Sequence, residues 1–155
     1  ILGGAEKVFA VDVGYGQLAW ELQQDPRVVS LERTNFRHLE FERLGETVDL
    51  VVIDVSFISL RLIFPKALEF LKPGGTLLAL VKPQFEAGAA EVGKRGKVSD
   101  TAVHERVLEA LKDEAQELGF LVLGQTKSAI VGKKSGNVEF FLWLKKSPKF
   151  DSNAS

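Results

Sequence analysis

The chain has 155 residues, 45% hydrophobic and 26% charged, enough to bury the core of one ordinary globular domain. The absence of cysteine excludes disulfides, thiolate nucleophiles and cysteine-ligated metals, and two histidines offer little to a metal site. The apolar runs have the length of strands and no secretory leader opens the chain, so we expect a cytoplasmic protein without a metal or a membrane association.

The net charge of −1 provides no overall field that would attract nucleic acid. Contact with RNA would therefore depend on local basic patches or on a separate module. The candidate patches contain Lys94, Arg95 and Lys97 in one stretch, and Lys133 and Lys134 in another. For the stretch of residues 93–100 the ordinary alternative is a solvated connector.

The first elements alternate between strand and helix. Residues 7–12 form an apolar run that ends in an acid and are predicted to be a strand. Glycines within 14–16 predict a tight turn, and residues 17–24 predict an amphipathic helix. Residues 28–32 are predicted to be a second strand, and residues 36–44 a short helical or irregular connection.

The alternation continues until an antiparallel pair ends the domain. Residues 60–71 are predicted to be a helix with Ser59 as its N-cap and residues 72–75 as its end. Residues 100–118 give the strongest helical pattern, with Asp100 as the cap. The remaining predicted strands are residues 48–54, 76–82, 120–130 and 138–144, of which the last two predict a hairpin at a sheet edge.

This order predicts an α/β, Rossmann-like fold with a mostly parallel sheet and a C-terminal antiparallel hairpin. The domain is expected to span residues 1–146, and residues 147–155 are polar enough to predict a disordered tail. The opening residues, 1–4, resemble the end of a helix with a glycine stop. We therefore expect the first strand and a glycine-rich loop upstream of residue 1.

Two predicted strands end on opposite charges, one on Asp54 and the other on Lys82. Side chains at the carboxyl ends of parallel strands face the ligand crevice of such a sheet, so these two should meet. A lysine whose pKa is lowered by burial or by cationic neighbours can accept or steer the proton of a ribose hydroxyl during methyl transfer, while nearby carboxylates, here Asp54 and Glu139, orient it. The structural alternative is a plain ion pair and a solvent-facing Glu139.

Two nucleotide interpretations remain open for the first fifty residues. In one, Asp12 ends the second strand of the complete sheet and binds the ribose of a cofactor. In the other, residues 14–19 are a G-x-G-x-x-A fingerprint and Glu32 is the ribose acid of an NAD-binding oxidoreductase. The glycines could equally form a simple turn, and neither histidine stands where a hydride-transfer enzyme would use a proton relay.

Five stretches carry a family resemblance. Residues 8–18, 32–37, 49–60, 80–88 and 136–140, including Asp-Val-Ser-Phe-Ile-Ser and Lys-Pro-Gln-Phe-Glu, resemble TlyA-type proteins. These are FtsJ-like RNA ribose 2′-O-methyltransferases, many of which are labelled hemolysin. The resemblance extends to about residue 146 and implies an S-adenosylmethionine-dependent methyltransferase fold. It also implies S-adenosylmethionine as the cofactor and ribosomal RNA or ribosomal subunits as the partner.

The resemblance further implies a Lys-Asp-Lys-Glu catalytic tetrad, in which Asp54, Lys82 and Glu139 are the last three members. The family places the first lysine, the glycine-rich loop and an S4-like RNA-binding domain upstream of residue 1. Residues 93–100 are less rich in glycine than the corresponding family segment. The expected cofactor residues are Asp12 at the ribose, Val13, Asn35, Phe36 and Arg37 near the adenine, and Asp54.

The absence of one motif and of cysteine narrows the class of methyl acceptor. Residues 54–57 read Asp-Val-Ser-Phe instead of the Asp/Asn-Pro-Pro-aromatic motif of amino-group methyltransferases, and without cysteine there is no covalent route to cytosine C5. The rival hypotheses are the NAD-binding oxidoreductase, a noncatalytic RNA-binding module, and a membrane-lysing hemolysin.

Overall fold

The computed structural model describes residues 3–93, 96–132 and 136–148. The chain divides into two compact units, Ile1–Glu46 and Thr47–Ser155, and each is described by itself. Among the described residues, none of the helices combines the length and apolar character that crossing a membrane requires.

The first unit contains a parallel pair of strands, β1 (Val8–Val11) and β2 (Val28–Leu31). They pair in register from Val8 opposite Val28 to Val11 opposite Leu31. The connecting helix α1 (Trp20–Gln24) is shorter than the predicted 17–24. It begins late because Gly16 has a φ of +68° and Ala19 is extended, so helical backbone starts only after them.

The connection after β2 is built from two 3₁₀ turns, Phe36–His38 and Phe41–Arg43, as the prediction of a short helical connection indicated. Asn35 begins the first turn, because its side-chain oxygen accepts a hydrogen bond from the backbone N–H of Arg37.

The second unit contains a four-stranded sheet in the order β3-β4-β6-β5. Its strands are β3 (Val48–Ile53), β4 (Leu71–Val81), β5 (Phe120–Lys127) and β6 (Phe140–Lys146). β3 and β4 are parallel, and β6 is antiparallel to both β4 and β5. The antiparallel pair is therefore confirmed. Of its two strands, β5 lies at an edge of the sheet and β6 does not, because β6, a nearly continuous apolar run, is paired on both sides.

The predicted helix 60–71 is interrupted. A 3₁₀ turn, Leu60–Leu62, precedes α2 (Phe64–Phe70), which begins around Pro65. Proline lacks an N–H and its ring clashes with the carbonyl four residues earlier, so Pro65 disfavours one continuous helix and instead lies in the first turn of α2. Leu71 already pairs with Val48, and a register shift follows before Leu50 pairs with Thr76.

Helix α3 (Thr101–Leu118) matches its prediction closely. Asp100 caps it by accepting from the N–H of Ala102 at 2.9 Å, and Gly119 ends it with a left-handed φ of 113°. Its buried apolar face contacts β5 and α2, while Leu77 and Leu142 of the sheet are fully buried. The side chains of Leu50, Val52, Leu121, Leu123 and Trp143 remain exposed.

Candidate functional site at the strand ends

Lys82 and Asp54 meet at the carboxyl ends of neighbouring parallel strands. Asp54 follows β3, Lys82 follows β4, and Lys82 Nζ lies 2.7 Å from Asp54 Oδ1. The ammonium also donates to Ser56 Oγ at 3.0 Å. The lysine side chain is only 14% exposed, whereas that of Asp54 is 66% exposed. The loop after β3 thus holds a largely buried cation with two oxygens.

Glu139 and Lys82 flank the same end of the β4–β6 ladder. Val81 pairs with Phe140 as the final pair of that antiparallel ladder, and Lys82 and Glu139 are the next residues beyond it. Glu139 is 9% exposed, and its backbone carbonyl accepts from the N–H of Ser128 at 2.8 Å. The alternative of a solvent-facing glutamate on an edge strand is therefore wrong.

Glu86 makes contacts that the sequence pattern did not predict. Its Oε2 accepts from the Ser59 hydroxyl at 2.6 Å, and its Oε1 accepts from the Leu60 N–H at 2.8 Å. Burial raises the pKa of the Glu86 carboxyl, against the opposing effect of these two hydrogen bonds. Its place in the Lys-Pro-Gln-Phe-Glu stretch, just after Lys82, was the only available signal.

Two aromatic rings lie between these polar contacts. The rings of Phe57 and Phe85 have centroids 4.9 Å apart. Phe57 is 89% exposed and has a φ of +64°, a left-handed conformation that is unusual for a bulky residue. The loop after β3 therefore touches the segment after β4 through ionic, aromatic and hydrogen-bonding contacts.

In the first unit, Asp12 and Glu32 follow β1 and β2 and line a cavity of about 240 Å³, together with Gln17 and Leu18. The volume is below the roughly 300–1,000 Å³ of complete small-molecule pockets. Carboxylates beside an apolar wall are the groups that hold ribose hydroxyls in nucleotide-binding sheets.

The glycine turn does not have the form of a dinucleotide fingerprint. The N–H of Gly14 donates to Asp12 Oδ1 at 2.8 Å, and the N–H of Gly16 donates to Glu32 Oε1 at 3.3 Å. In a fingerprint loop the backbone approaches a pyrophosphate, but here the amides face carboxylates that would repel it. This geometry favours the simple turn over the NAD interpretation of residues 14–19.

The expected adenine residues follow the same two strand ends. Val13 is 72% exposed, Asn35 and Arg37 are exposed, and Phe36 is half-buried. The N–H of Thr34 donates to the carbonyl of Asp12 at 2.8 Å, so this hydrogen bond joins the segment after β1 to the segment after β2. Val13 and residues 35–37 thus lie at the carboxyl end of the β1–β2 pair, together with Asp12.

Of the expected RNA contacts, the described residues include only Lys97, which is exposed. Lys94, Arg95, Lys133 and Lys134 lie outside the described residues. Buried Asn137 anchors the backbone on either side of Lys97, because its Oδ1 accepts from Val98 N–H at 2.9 Å and its Nδ2 donates to the carbonyl of Gly96 at 3.0 Å.

The tail after the domain is described only to residue 148. The Ser147 N–H donates to the carbonyl of Gly119 at 3.1 Å. Residues 149–155 lie outside the described residues.

The family model described as FtsJ-like methyltransferase matches residues 2–146. The 16S/23S rRNA (cytidine-2′-O)-methyltransferase TlyA of Mycobacterium tuberculosis H37Rv is 51% identical over 142 residues, covering 92% of this chain and 53% of that protein. The chain therefore spans about half the length of this curated relative.

Two solved structures are also similar. One, described as a hemolysin from Streptococcus thermophilus, has a TM-score of 0.90 and 46% identity, over 99% of this chain and 56% of its own. The 16S rRNA (adenine(1408)-N(1))-methyltransferase W203A mutant from Catenulisporales acidiphilia, solved with SAM, has a TM-score of 0.61 and 15% identity, over 93% and 76%. The second likeness concerns the fold alone, which is the Rossmann-like fold of S-adenosylmethionine-dependent methyltransferases.

Proposed function

Because the chain belongs to the FtsJ-like methyltransferase family, we propose that it carries the catalytic domain for S-adenosylmethionine-dependent methylation of a ribose 2′-hydroxyl in ribosomal RNA. The observation that supports this most is the ion pair of Lys82 and Asp54 at 2.7 Å, at the carboxyl ends of adjacent parallel strands. The family match also decides against the oxidoreductase hypothesis.

Lys82 is the proposed group that handles the hydroxyl proton. Its low exposure limits competing water. As the neutral amine, Nζ would accept the hydroxyl proton; as the ammonium paired with Asp54, it would steer the hydroxyl as its oxygen becomes nucleophilic. Asp54 and Ser56 orient the ammonium, and Glu139, next to the last pair of the β4–β6 ladder, is the proposed third member of the catalytic set after Asp54 and Lys82. Alignment of the hydroxyl supplies much of the rate, since the reaction needs no covalent intermediate.

The residues of the first unit fit the proposed cofactor by their chemistry. Asp12 offers a carboxylate for ribose hydroxyls, and Val13 and Phe36 offer apolar surface for an adenine, with Asn35 and Arg37 at the same edge. When bound, S-adenosylmethionine supplies an electrophilic methyl group. Asp54 is proposed to have two roles, pairing with Lys82 and contacting the cofactor.

The proposed substrate rests on the name of a relative and on the basic residues of this chain. The M. tuberculosis relative is named for cytidine 2′-O-methylation of 16S and 23S rRNA, and we extend that substrate class, as rRNA or ribosomal subunits in the cytoplasm, to this protein. Lys97 and the basic residues 94, 95, 133 and 134 are the proposed contacts with phosphates. An S4-like RNA-binding domain in the remainder of the intact protein would supply further affinity.

The test is transfer of a tritiated methyl group from S-adenosylmethionine to unmodified 16S and 23S rRNA by the intact protein. The proposal expects label in RNA, located at a cytidine 2′-O-methyl by nuclease digestion and mass spectrometry. RNA binding without methyl transfer would support the noncatalytic module instead. Leakage of liposomes at low protein concentration, without methylation, would support the hemolysin hypothesis.

A further inference from the structure

The loop from Asp54 to Leu60 reaches the segment from Lys82 to Glu86 at three successive places. Asp54 and Ser56 contact Lys82 at one end, Phe57 contacts Phe85 in the middle, and Ser59 and Leu60 contact Glu86 at the other end. Both segments follow parallel strands, so β3 and β4 fix only where each begins. The contacts beyond the strand ends must determine the path of the loop.

The loop carries a conformational cost that these contacts have to offset. Phe57 has a φ of +64°, a conformation that costs about 1–3 kcal/mol for a residue other than glycine and persists only where surrounding contacts enforce it. Phe57 is 89% exposed, so burial does little to hold its backbone, and its described ring contact is with Phe85. After Phe57, Ser59 and Leu60 hold the loop through hydrogen bonds to the carboxylate of Glu86.

Glu86 holds the far end of the loop with two directed hydrogen bonds. One oxygen accepts a hydrogen bond from the Ser59 hydroxyl and the other accepts one from the Leu60 N–H. This two-point contact fixes both the position and the orientation of the loop end. Ser59 Oγ also accepts from the N–H of Arg61 and so joins the contact to the following turn. Without Glu86, the Leu60 N–H loses the acceptor described here, and the loop after Phe57 loses both of these hydrogen bonds to the segment after β4.

We infer that Glu86 is a positioning residue for the proposed methyl transfer: by fastening Ser59 and Leu60, it holds the loop so that Asp54 and Ser56 orient the ammonium of Lys82. The inference rests on the proposed function, since Lys82 is the group that Glu86 serves. Glu86 itself touches neither Lys82 nor Asp54 in the contacts described above. Its effect passes through the backbone of residues 54–60.

The test compares Glu86→Ala and Glu86→Gln in the intact protein. Glutamine can accept from the Leu60 N–H and donate to Ser59 Oγ, whereas alanine can do neither. We expect Glu86→Ala to lower kcat for rRNA methylation by about 10- to 100-fold, as misplacement of an orienting group does. The Kd for S-adenosylmethionine should stay within about twofold, and Glu86→Gln should restore most of kcat.

Glu91→Ala is the matched control. The Glu91 carboxylate also accepts a backbone N–H, from Gly88, but its other contact is Arg106 instead of the loop. Hydrogen exchange supplies a readout that does not depend on activity: Glu86→Ala should accelerate exchange in residues 54–60, and Glu91→Ala should not. If Glu86→Ala does not fold, Ser59→Ala removes one of the two contacts and should still lower kcat several-fold.

The inference is overturned if Glu86→Ala keeps kcat within twofold of the parent, or if Glu91→Ala causes an equal loss. A glutamine variant as impaired as the folded alanine variant would also contradict it, because the geometry of the contact would then not be what matters. If the parent protein transfers no methyl group, the proposed function fails separately. Unchanged exchange in residues 54–60 of Glu86→Ala would then reject the role of Glu86 by itself.

Discussion

Lys82 is largely buried while Asp54, its partner at 2.7 Å, is mostly exposed to water. Solvent screens an ion pair with one exposed member, so such pairs contribute only about 0–1 kcal/mol to stability. The pair is therefore better suited to orienting the lysine than to stabilising the fold. This separates a loss of function from a loss of structure in the variants that follow.

Replacing Asp54 with asparagine should reduce activity without unfolding the domain. We expect methyl transfer to rRNA to fall by at least about 10-fold, because the ammonium loses its charged orienting group. The free energy of unfolding, measured by urea denaturation, should change by less than about 1 kcal/mol. Asp49→Asn is the control, because Asp49 pairs with Lys72 at 3.2 Å elsewhere on the same two strands. An equal loss of activity in the control would contradict the prediction.

Asparagine in place of Asp12 should weaken the cofactor complex. The variant keeps an oxygen that can accept from the Gly14 N–H, but it loses the charge offered to ribose hydroxyls. A charged hydrogen bond worth about 1.5–3 kcal/mol corresponds to roughly 10- to 100-fold in Kd for S-adenosylmethionine, measured by calorimetry. Glu21→Gln, on exposed α1, should leave Kd unchanged. Unaltered affinity in Asp12→Asn would remove this residue from the cofactor site.

The sequence predicted what depends on chain order and local pattern. Asp54 and Lys82 end neighbouring parallel strands, so their meeting followed from topology, and Asp100 caps α3 as its position indicated. The break before α2 was missed although Pro65 was visible, because the apolar spacing continued through it. The contact of Glu86 with Ser59 joins residues 27 apart and leaves no local pattern.

The raised pKa of Glu86 predicts a pH dependence of stability. Burial raises this pKa above its usual value of 4.5, so the folded protein binds the proton more tightly than the unfolded chain. Protonation therefore stabilises the fold, and this contribution is lost as pH rises from about 4.5 through the higher folded-state pKa. Urea denaturation across that range should show the slope, and Glu86→Gln should remove it. An identical slope in the glutamine variant would assign the dependence to other groups.

Asn137 connects the backbone around Lys97 to the strand that follows Glu139. In Asn137→Ala, the buried N–H of Val98 loses the side-chain acceptor that it has here, which costs about 1–3 kcal/mol. We expect that loss in the free energy of unfolding, and a lower kcat because the approach to Glu139 is loosened. Gln125 is an exposed residue of β5, so Gln125→Ala should change neither the free energy of unfolding nor kcat. Full stability in Asn137→Ala would show that the contact is dispensable.

The most direct test of the proposed reaction is single-turnover methylation of unmodified rRNA by Lys82→Met in the intact protein, with saturating S-adenosylmethionine. Lys72→Met is the control, because it removes the lysine of the other β3–β4 ion pair. Loss of a group that handles a proton predicts a rate lower by about 10²- to 10⁴-fold in Lys82→Met and an unchanged rate in the control. A rate within twofold of the parent in Lys82→Met would contradict the account of this site.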